Sequence, residues 1–470
     1  MRGIDAAAIY VPELRLPISE ITEAWGQTTA RGIDQTAVPD ADEDAITMAV
    51  AAGDRVLNET HTDSTTVTSV YFATTTPPLD EGATAATVVR ALGLPSSTQV
   101  RNLTGTTAAA GAAIDGALNA DGTALVLASD IPTGSPSGGD HPMGAGAVAL
   151  LIADNAASEV TTRVWRNDDH PGIRFRRRGT TTVESMGITP YERNRITSQL
   201  GEAIDGLEIN FESVDGMVLH QPTARFPHRI ANQVGSIDPT SIHQELIVNR
   251  IGDAGAATVP IGLVSAADQF ESGTLVCGFY GAGEAMALAV STDFHIYGIE
   301  SLDSDRTLPY SAYLRRRGFI TDGSVSGGGA YVPMPNWQSS LDQRYLLKAG
   351  RCRECNELSF PPRGACQSCR YRRGYDEVEL SRTGTVQAVT VIGQGGAPPE
   401  FAEQQQRRGA FGVAIIELTE PGTDRSVNIP AQLTDFDPGT VTVGDEVSAT
   451  FRRIYEQEGV PRYGIKFSST

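Results

Sequence analysis

Residues 1–335 alternate short apolar runs with stretches of small residues, the rhythm of strands joined by helices. GIDAAAIYVP opens the chain as a strand, and VTSVYFATTT (67–76) reads as a buried strand that runs into a threonine cluster. GTTAAAGAAIDGALNA (105–120) predicts an alanine-rich helix, and TALVLASD (123–130) the strand after it. GAGAVALLIAD (144–154) gives a glycine turn and a further strand. In the second half VDGMVLH (214–220) is again an apolar strand, leading into a helix from near Thr223. GTLVCGFYGAGEAMALAVS (273–291) predicts strand, glycine turn, strand. The shared punctuation predicts an internally duplicated α/β fold. PMPNW (333–337) reads as a linker. Beyond residue 375 the helical pattern stops: GTVQAVTVIGQ, FGVAIIELTE, RSVNIPAQL and DEVSATFRRIY predict a small antiparallel barrel, with 393–409 a polar loop.

Between these two regions lie Cys352, Cys355, Cys366 and Cys369, two C-x-x-C pairs within CRECNELSFPPRGACQSC. Each pair can aim two thiolates at one cation, so the four form a closed S4 cage suited to structural zinc. A disulfide pair is the alternative, disfavoured because no secretory signal precedes the chain.

The 470 residues allow two or three domains, and the net charge is −20. Lys348 and Lys466 are the only lysines, with arginine abundant, a balance that keeps a surface hydrated in concentrated salt and suggests a halophilic source. The negative charge argues against nucleic acid as a partner. No apolar run approaches the ~20 residues that span a bilayer, so a soluble, cytoplasmic protein without membrane contact is expected. The runs Arg176–Arg178 and Arg315–Arg317 read as solvated faces, or as phosphate contacts.

The segments GIDAAAIYVPELRLPISEITEAWG, HQPTARFP, GDAGAATVPIGL, FYGAGEAMAL and LPYSAYLRRRGFI resemble archaeal hydroxymethylglutaryl-CoA synthases of the thiolase superfamily, over residues 1–330. FPPR between the cysteine pairs, with a barrel behind, resembles the zinc-ribbon and OB-fold family called DUF35. The resemblance implies a duplicated thiolase-like fold in α/β/α/β/α layers, with halves at 1–165 and 166–335, a zinc ribbon at 340–374 and an OB-type barrel at 375–470. It also implies a coenzyme A thioester as substrate or ligand, a homodimer, and a thiolase or synthase as partner.

The synthase chemistry uses a cysteine to carry an acetyl group, a glutamate to move a proton and a histidine to orient the second thioester. On the resemblance the cysteine's position falls at Thr104, the glutamate's at Thr75 and an asparagine's at Asp253, while the histidine is His220. No cysteine precedes Cys277, so no register shift restores the sulfur. A threonine hydroxyl needs an adjacent base to attack at neutral pH. The sequence therefore argues against standard acetyl transfer and condensation. Gly281 and Gly283 match a loop whose amides can support an oxyanion, or simply permit tight packing. Cys277 reads as a buried thiol, Gly144 and Gly146 as turn residues, His228 and His243 as ordinary surface or helix residues. Tyr280 and Tyr310 are phenolic acids or plain packing. Three functions stay open: an acyl-CoA-binding protein with altered site residues, a lyase cleaving a β-hydroxyacyl-CoA by retro-aldol chemistry, and a non-catalytic scaffold or regulatory subunit.

Overall fold

The computed structural model describes residues 2–232, 234, 238–242, 246–321, 331–393 and 397–469, so His243 lies outside the described residues. The chain divides into two compact units, Met1–Asp40 with Asp44–Leu314, and Ala41–Glu43 with Arg315–Thr470.

The strands of the first unit are β1 (Arg2–Tyr10), β2 (Leu14–Pro17), β3 (Gln35–Val38), β4 (Val67–Ala73), β5 (Gln99–Leu103), β6 (Thr123–Asp130), β7 (Gly146–Asp154), β8 (Val160–Asn167), β9 (Gly216–Leu219), β10 (Thr274–Gly281), β11 (Glu284–Ser291) and β12 (His295–Tyr297). Six of them form one sheet in the order β12-β1-β7-β6-β4-β5, and four form a second in the order β8-β11-β10-β9. β2 and β3 pair antiparallel as a small separate sheet. β8 already belongs to the second sheet, whereas β12, late in sequence, returns to the first.

Helices fill the layers between and outside the sheets. Helix α1 (Ala45–Glu59) lies on β1, β6 and β7, and starts where the Asp44 carboxylate accepts from the Ile46 and Thr47 amides while Thr47 returns the bond. Helices α2 (Ala109–Leu118) and α4 (Thr258–Ala267) touch strands of both sheets and form the middle layer; α3 (Thr189–Asp205) covers the far face of the second. Every residue of α4 is buried, and its sequence TVPIGLVSAA is apolar on all sides because both faces meet a sheet. β6 and β7 are apolar runs for the same reason. This is the duplicated, five-layered thiolase-like arrangement expected.

In the second unit, β13 (Lys348–Cys352), β14 (Leu358–Ser359) and β15 (Tyr375–Glu379) form a three-stranded sheet. The remaining strands, β16 (Thr383–Ile392), β17 (Phe411–Thr419), β18 (Ser426–Gln432), β19 (Glu446–Gln457) and β20 (Val460–Ser469), run in the order β18-β17-β16-β19-β20. A bridge from Leu433, just past β18, to Phe467 in β20 joins the two edges into an OB-type barrel. Val386, Ile416, Leu418, Val447 and Phe467 fill it.

Two expectations are corrected here. PMPNW is not a plain linker: Met334–Gln338 is a short helix α5, started by Pro335 in its first turn, and Trp337 is buried beneath the Arg344 guanidinium at 4.1 Å. Part of the polar stretch 393–409 is helix α6 (Ala402–Arg408), because AEQQQRR consists of strong helix formers after a Pro-Pro start. Residues 394–396 of that stretch lie outside the described residues.

Candidate functional site

β4 runs parallel to both β5 and β6, with Ala73 beside Leu103 on one side and Ala128 on the other. Register alone therefore brings the residues that follow each strand to one edge: Thr74–Thr76, Thr104–Thr107 and Asp130. Ligands of α/β sheets sit at such carboxyl ends. Here a cavity of about 190 Å³ opens, its wall including Thr75, Thr104, Thr106, Arg174, Phe175 and Gly281. In the second sheet β9 is parallel to β10, and the His220 amide donates to the Gly278 carbonyl (2.8 Å), which places His220 at the equivalent edge.

Asp253 is buried behind this wall. Its Oδ2 accepts from Arg174 Nη1 (2.7 Å), and its Oδ1 accepts from the Gly255 amide (2.9 Å) and the Thr258 hydroxyl (3.3 Å). Burial pushes the Asp253 carboxyl up, but the Arg174 and His220 charges outweigh it and hold the group below the usual carboxylate range. His220 moves down to about 4, chiefly through burial, with Asp253 opposing and Arg174 assisting. At neutral pH the imidazole is uncharged. Its ring lies 5.6 Å from that of Tyr280, whose hydroxyl is 2.9 Å from His170 Nδ1.

Sequence reasoning missed Asp130 and Arg174. Asp130 is fully buried at the end of β6. Its Oδ1 accepts from the Thr74 hydroxyl (2.8 Å), the Thr75 amide (2.7 Å), the Thr76 amide (2.9 Å) and the Thr76 hydroxyl (2.8 Å). Its Oδ2 accepts from the Thr75 hydroxyl (2.9 Å) and the Ala256 amide (2.7 Å). A β-carbon on Gly255, at φ +57°, would fall 2.2 Å from that Oδ2, so only glycine admits the approach. Burial raises the Asp130 carboxyl above its ordinary value, against the pull of these donors. The available signal was the threonine triplet itself, three hydroxyls at a strand end in need of an acceptor.

The structure thus brings Thr75, Thr104 and Gly281 to one cavity wall, with Asp253 joined to that wall through Arg174 and His220 beside them. Gly283, at φ +103°, shapes the turn instead: a β-carbon there would meet the Asp168 carbonyl at 2.1 Å. Cys277 is fully buried in β10, and burial pushes its thiol up, which makes it inert. Gly144 is a packing position, its β-carbon site lying 1.8 Å from the Ile251 carbonyl. Arg176 also lines the cavity, and His228 is exposed.

In the second unit, the Sγ atoms of Cys352, Cys355, Cys366 and Cys369 lie within 4.8 Å of one another, with Cys352–Cys369 and Cys355–Cys366 each at 3.6 Å. No disulfide joins them. A tetrahedral S4 site with bonds of about 2.3 Å requires sulfur separations of roughly 3.8 Å. The cluster is a candidate metal centre.

The first unit has the thiolase-like fold of the hydroxymethylglutaryl-CoA synthases. The chain superposes on a solved HMG-CoA synthase complexed with CoA at a TM-score of 0.59 and 18% identity, over 71% of this chain and 94% of that one. It superposes on the HMG synthase of the curacin pathway at 0.61 and 16%, over 73% and 94%. In sequence, the hydroxymethylglutaryl-CoA synthase of Methanopyrus kandleri is 26% identical over 69% of this chain and 96% of its own length. Residues 377–452 match the family described as the C-terminal OB-fold domain of ChsH2. A DUF35 domain-containing scaffold protein of Methanocaldococcus jannaschii is 36% identical over 27% of this chain and 84% of its own length. Through this C-terminal part the chain belongs to the DUF35-domain family.

Proposed function

We propose that the protein binds an acyl-CoA thioester, with the acyl group in the threonine-lined cavity, and acts on it without forming an acyl-enzyme. The observation that carries this is the pairing of Thr75 and Thr104 on one cavity wall while Cys277 is buried in β10. Both threonines stand where the synthase resemblance puts the base and the nucleophile. The similarity to a synthase solved with CoA supports the ligand class. In this reading His220 orients the thioester as a neutral donor or acceptor, Asp253 neutralises Arg174, and the Gly281 turn supports the carbonyl oxygen. The four cysteines hold zinc, whose role is to fold the ribbon.

Calorimetric titration of the full chain with CoA and acetyl-CoA, followed by intact mass, tests the proposal. Binding without a covalent acetyl adduct is expected. A stable adduct on Thr104 or Cys277 would overturn it, as would failure to bind either compound. The scaffold reading, suggested by the name of the Methanocaldococcus relative, corresponds to CoA binding with no turnover of any acyl-CoA.

A further inference from the structure

Three carboxylates stand around the cavity, and they differ in what each has left to offer. Asp130 already accepts six hydrogen bonds. Asp253 is paired with Arg174 at 2.7 Å. The third is Glu284, the first residue of β11. Its Oε2 accepts from the Thr106 hydroxyl at 2.6 Å, and no cation pairs with it among the described residues. It is the carboxylate with lone pairs still open.

A glycine brings it there. Ala282 and Gly283, at φ +52° and +103°, close β10 onto β11 in a two-residue turn, with Gly281 opposite Glu284. A β-carbon on Gly281 would fall 2.6 Å from the Thr106 Cβ and 2.7 Å from the Ala108 nitrogen. Only glycine therefore lets the turn press against the residues that lead into α2. That contact delivers the Glu284 carboxylate to Thr106, which lines the cavity.

The pair has the makings of a base that acts through a hydroxyl. The Thr106 proton is committed to Glu284, so toward the cavity the Thr106 oxygen offers lone pairs. Glu284 is exposed, whereas a carboxylate that served a condensation would need to meet its substrate away from water. The reactant that so open a pair meets is water itself.

We propose that Thr106 and Glu284 activate a water molecule that hydrolyses the bound thioester, which makes the protein an acyl-CoA hydrolase. This rests on the acyl-CoA reading above and deepens it. Thr106 is the catalytic group, and Glu284 acts through it as the positioning residue that takes the proton. As a water O–H bond breaks, its proton bonds to Thr106 Oγ1 while the Thr106 proton bonds to Glu284 Oε2. The water oxygen bonds to the thioester carbon, and the carbonyl π pair moves onto its oxygen. Arg174 lines the same wall with an Nη2 that has no hydrogen-bond partner among the described residues, a cation for that oxyanion. The pair then returns to re-form the carbonyl, and the C–S bond breaks with its electrons on sulfur. The proton held by Glu284 comes back through Thr106 to the CoA thiolate. The products are free CoA and a carboxylic acid, and water is the one co-reactant.

The test incubates the full chain with acetyl-CoA and with butyryl-CoA, follows free CoA and the acid by chromatography, and measures binding by calorimetry. Release of both products above the rate without protein is expected. Glu284→Gln keeps the shape but takes no proton, and should lower kcat by about a hundredfold or more with KM unchanged. Glu284→Asp should recover part of that loss. Thr106→Ser should retain activity and Thr106→Val should lose it. Glu284 is exposed, so its variants leave the core as it is. Binding without product release from the native protein would overturn the proposal. So would a native kcat in Glu284→Gln, or a loss confined to KM. An acyl adduct on Thr106 by intact mass would also overturn it, making the threonine rather than water the nucleophile. Failure of both compounds to bind would instead strike the acyl-CoA reading beneath.

Discussion

Arg174 Nη1 stands 2.7 Å from Asp253 Oδ2, with the aspartate side chain only 5% exposed and the arginine 19%. The pair sets the electrostatics of the cavity edge: Arg174 keeps Asp253 ionised, while His220 alongside is held neutral chiefly by burial, with Asp253 opposing. Removing the arginine alone strands a buried carboxylate. Arg174→Leu should therefore lower unfolding free energy by about 3–5 kcal/mol in urea melts. Adding Asp253→Asn should recover much of it. A loss under about 1 kcal/mol would show that the pair is solvated rather than buried.

His220 gives a pH signature. An exposed histidine titrates near 6.5, and this one near 4. Between those values the unfolded chain takes up a proton that the folded chain refuses, so stability is full above about 6.5 and falls as pH drops toward 4. The loss should amount to about 3 kcal/mol at 1.36 kcal/mol per unit. Asp253, held low, adds its own loss only below about 4. Urea melts across this range should flatten in His220→Gln. An unchanged slope would assign the titration elsewhere. Against any acyl-CoA that turns over, His220→Ala should cost more than about tenfold, over ~1.4 kcal/mol.

The four-cysteine cluster predicts a local response to chelation. With the sulfurs of each pair at 3.6 Å and no disulfide, a zinc ion held there as proposed would supply most of the ribbon's stability. Treatment with a strong zinc chelator should open residues 345–375 to protease while the first unit stays resistant. Unchanged cleavage in that span would remove the metal assignment.

A second buried ion cluster lies within the second unit. Asp42 Oδ2 is 2.8 Å from Lys466 Nζ and 2.9 Å from the Thr434 hydroxyl, with Arg408 at 3.8 Å. Burial pushes the Asp42 carboxyl up, and Lys466, Arg408 and Arg452 more than reverse that, holding it well below the carboxylate range. One of the chain's two lysines is thus committed to the interior. Lys466→Met should destabilise this unit by about 3–5 kcal/mol by calorimetric melting, and Lys466→Met with Asp42→Leu by much less. Equal losses in both would mean that packing, rather than charge, holds the site.

Much of the strand pattern was legible because both faces of β6, β7, β10 and β11 are covered, which forces nearly continuous apolar runs. TALVLASD falls on β6 residue for residue. Boundaries moved where a strand ran into polar sequence: the run 67–76 ends at Ala73, because Thr74–Thr76 turn to bond Asp130. Helices α5 and α6 were hidden because prolines stand at or just before their starts, and proline marks a break and a first helical turn alike.

Local chemistry is written in the chain: four cysteines at metal-ligand spacing, no cysteine before Cys277, threonines where the synthase pattern has its reactive groups. Each rests on neighbours within a few residues. The partners are not local. Asp130 lies 55 residues from Thr75, and Arg174 lies 79 from Asp253. Parallel strand register and burial, properties of the assembled sheets, bring the first pair together and decide which carboxylate keeps a counter-charge.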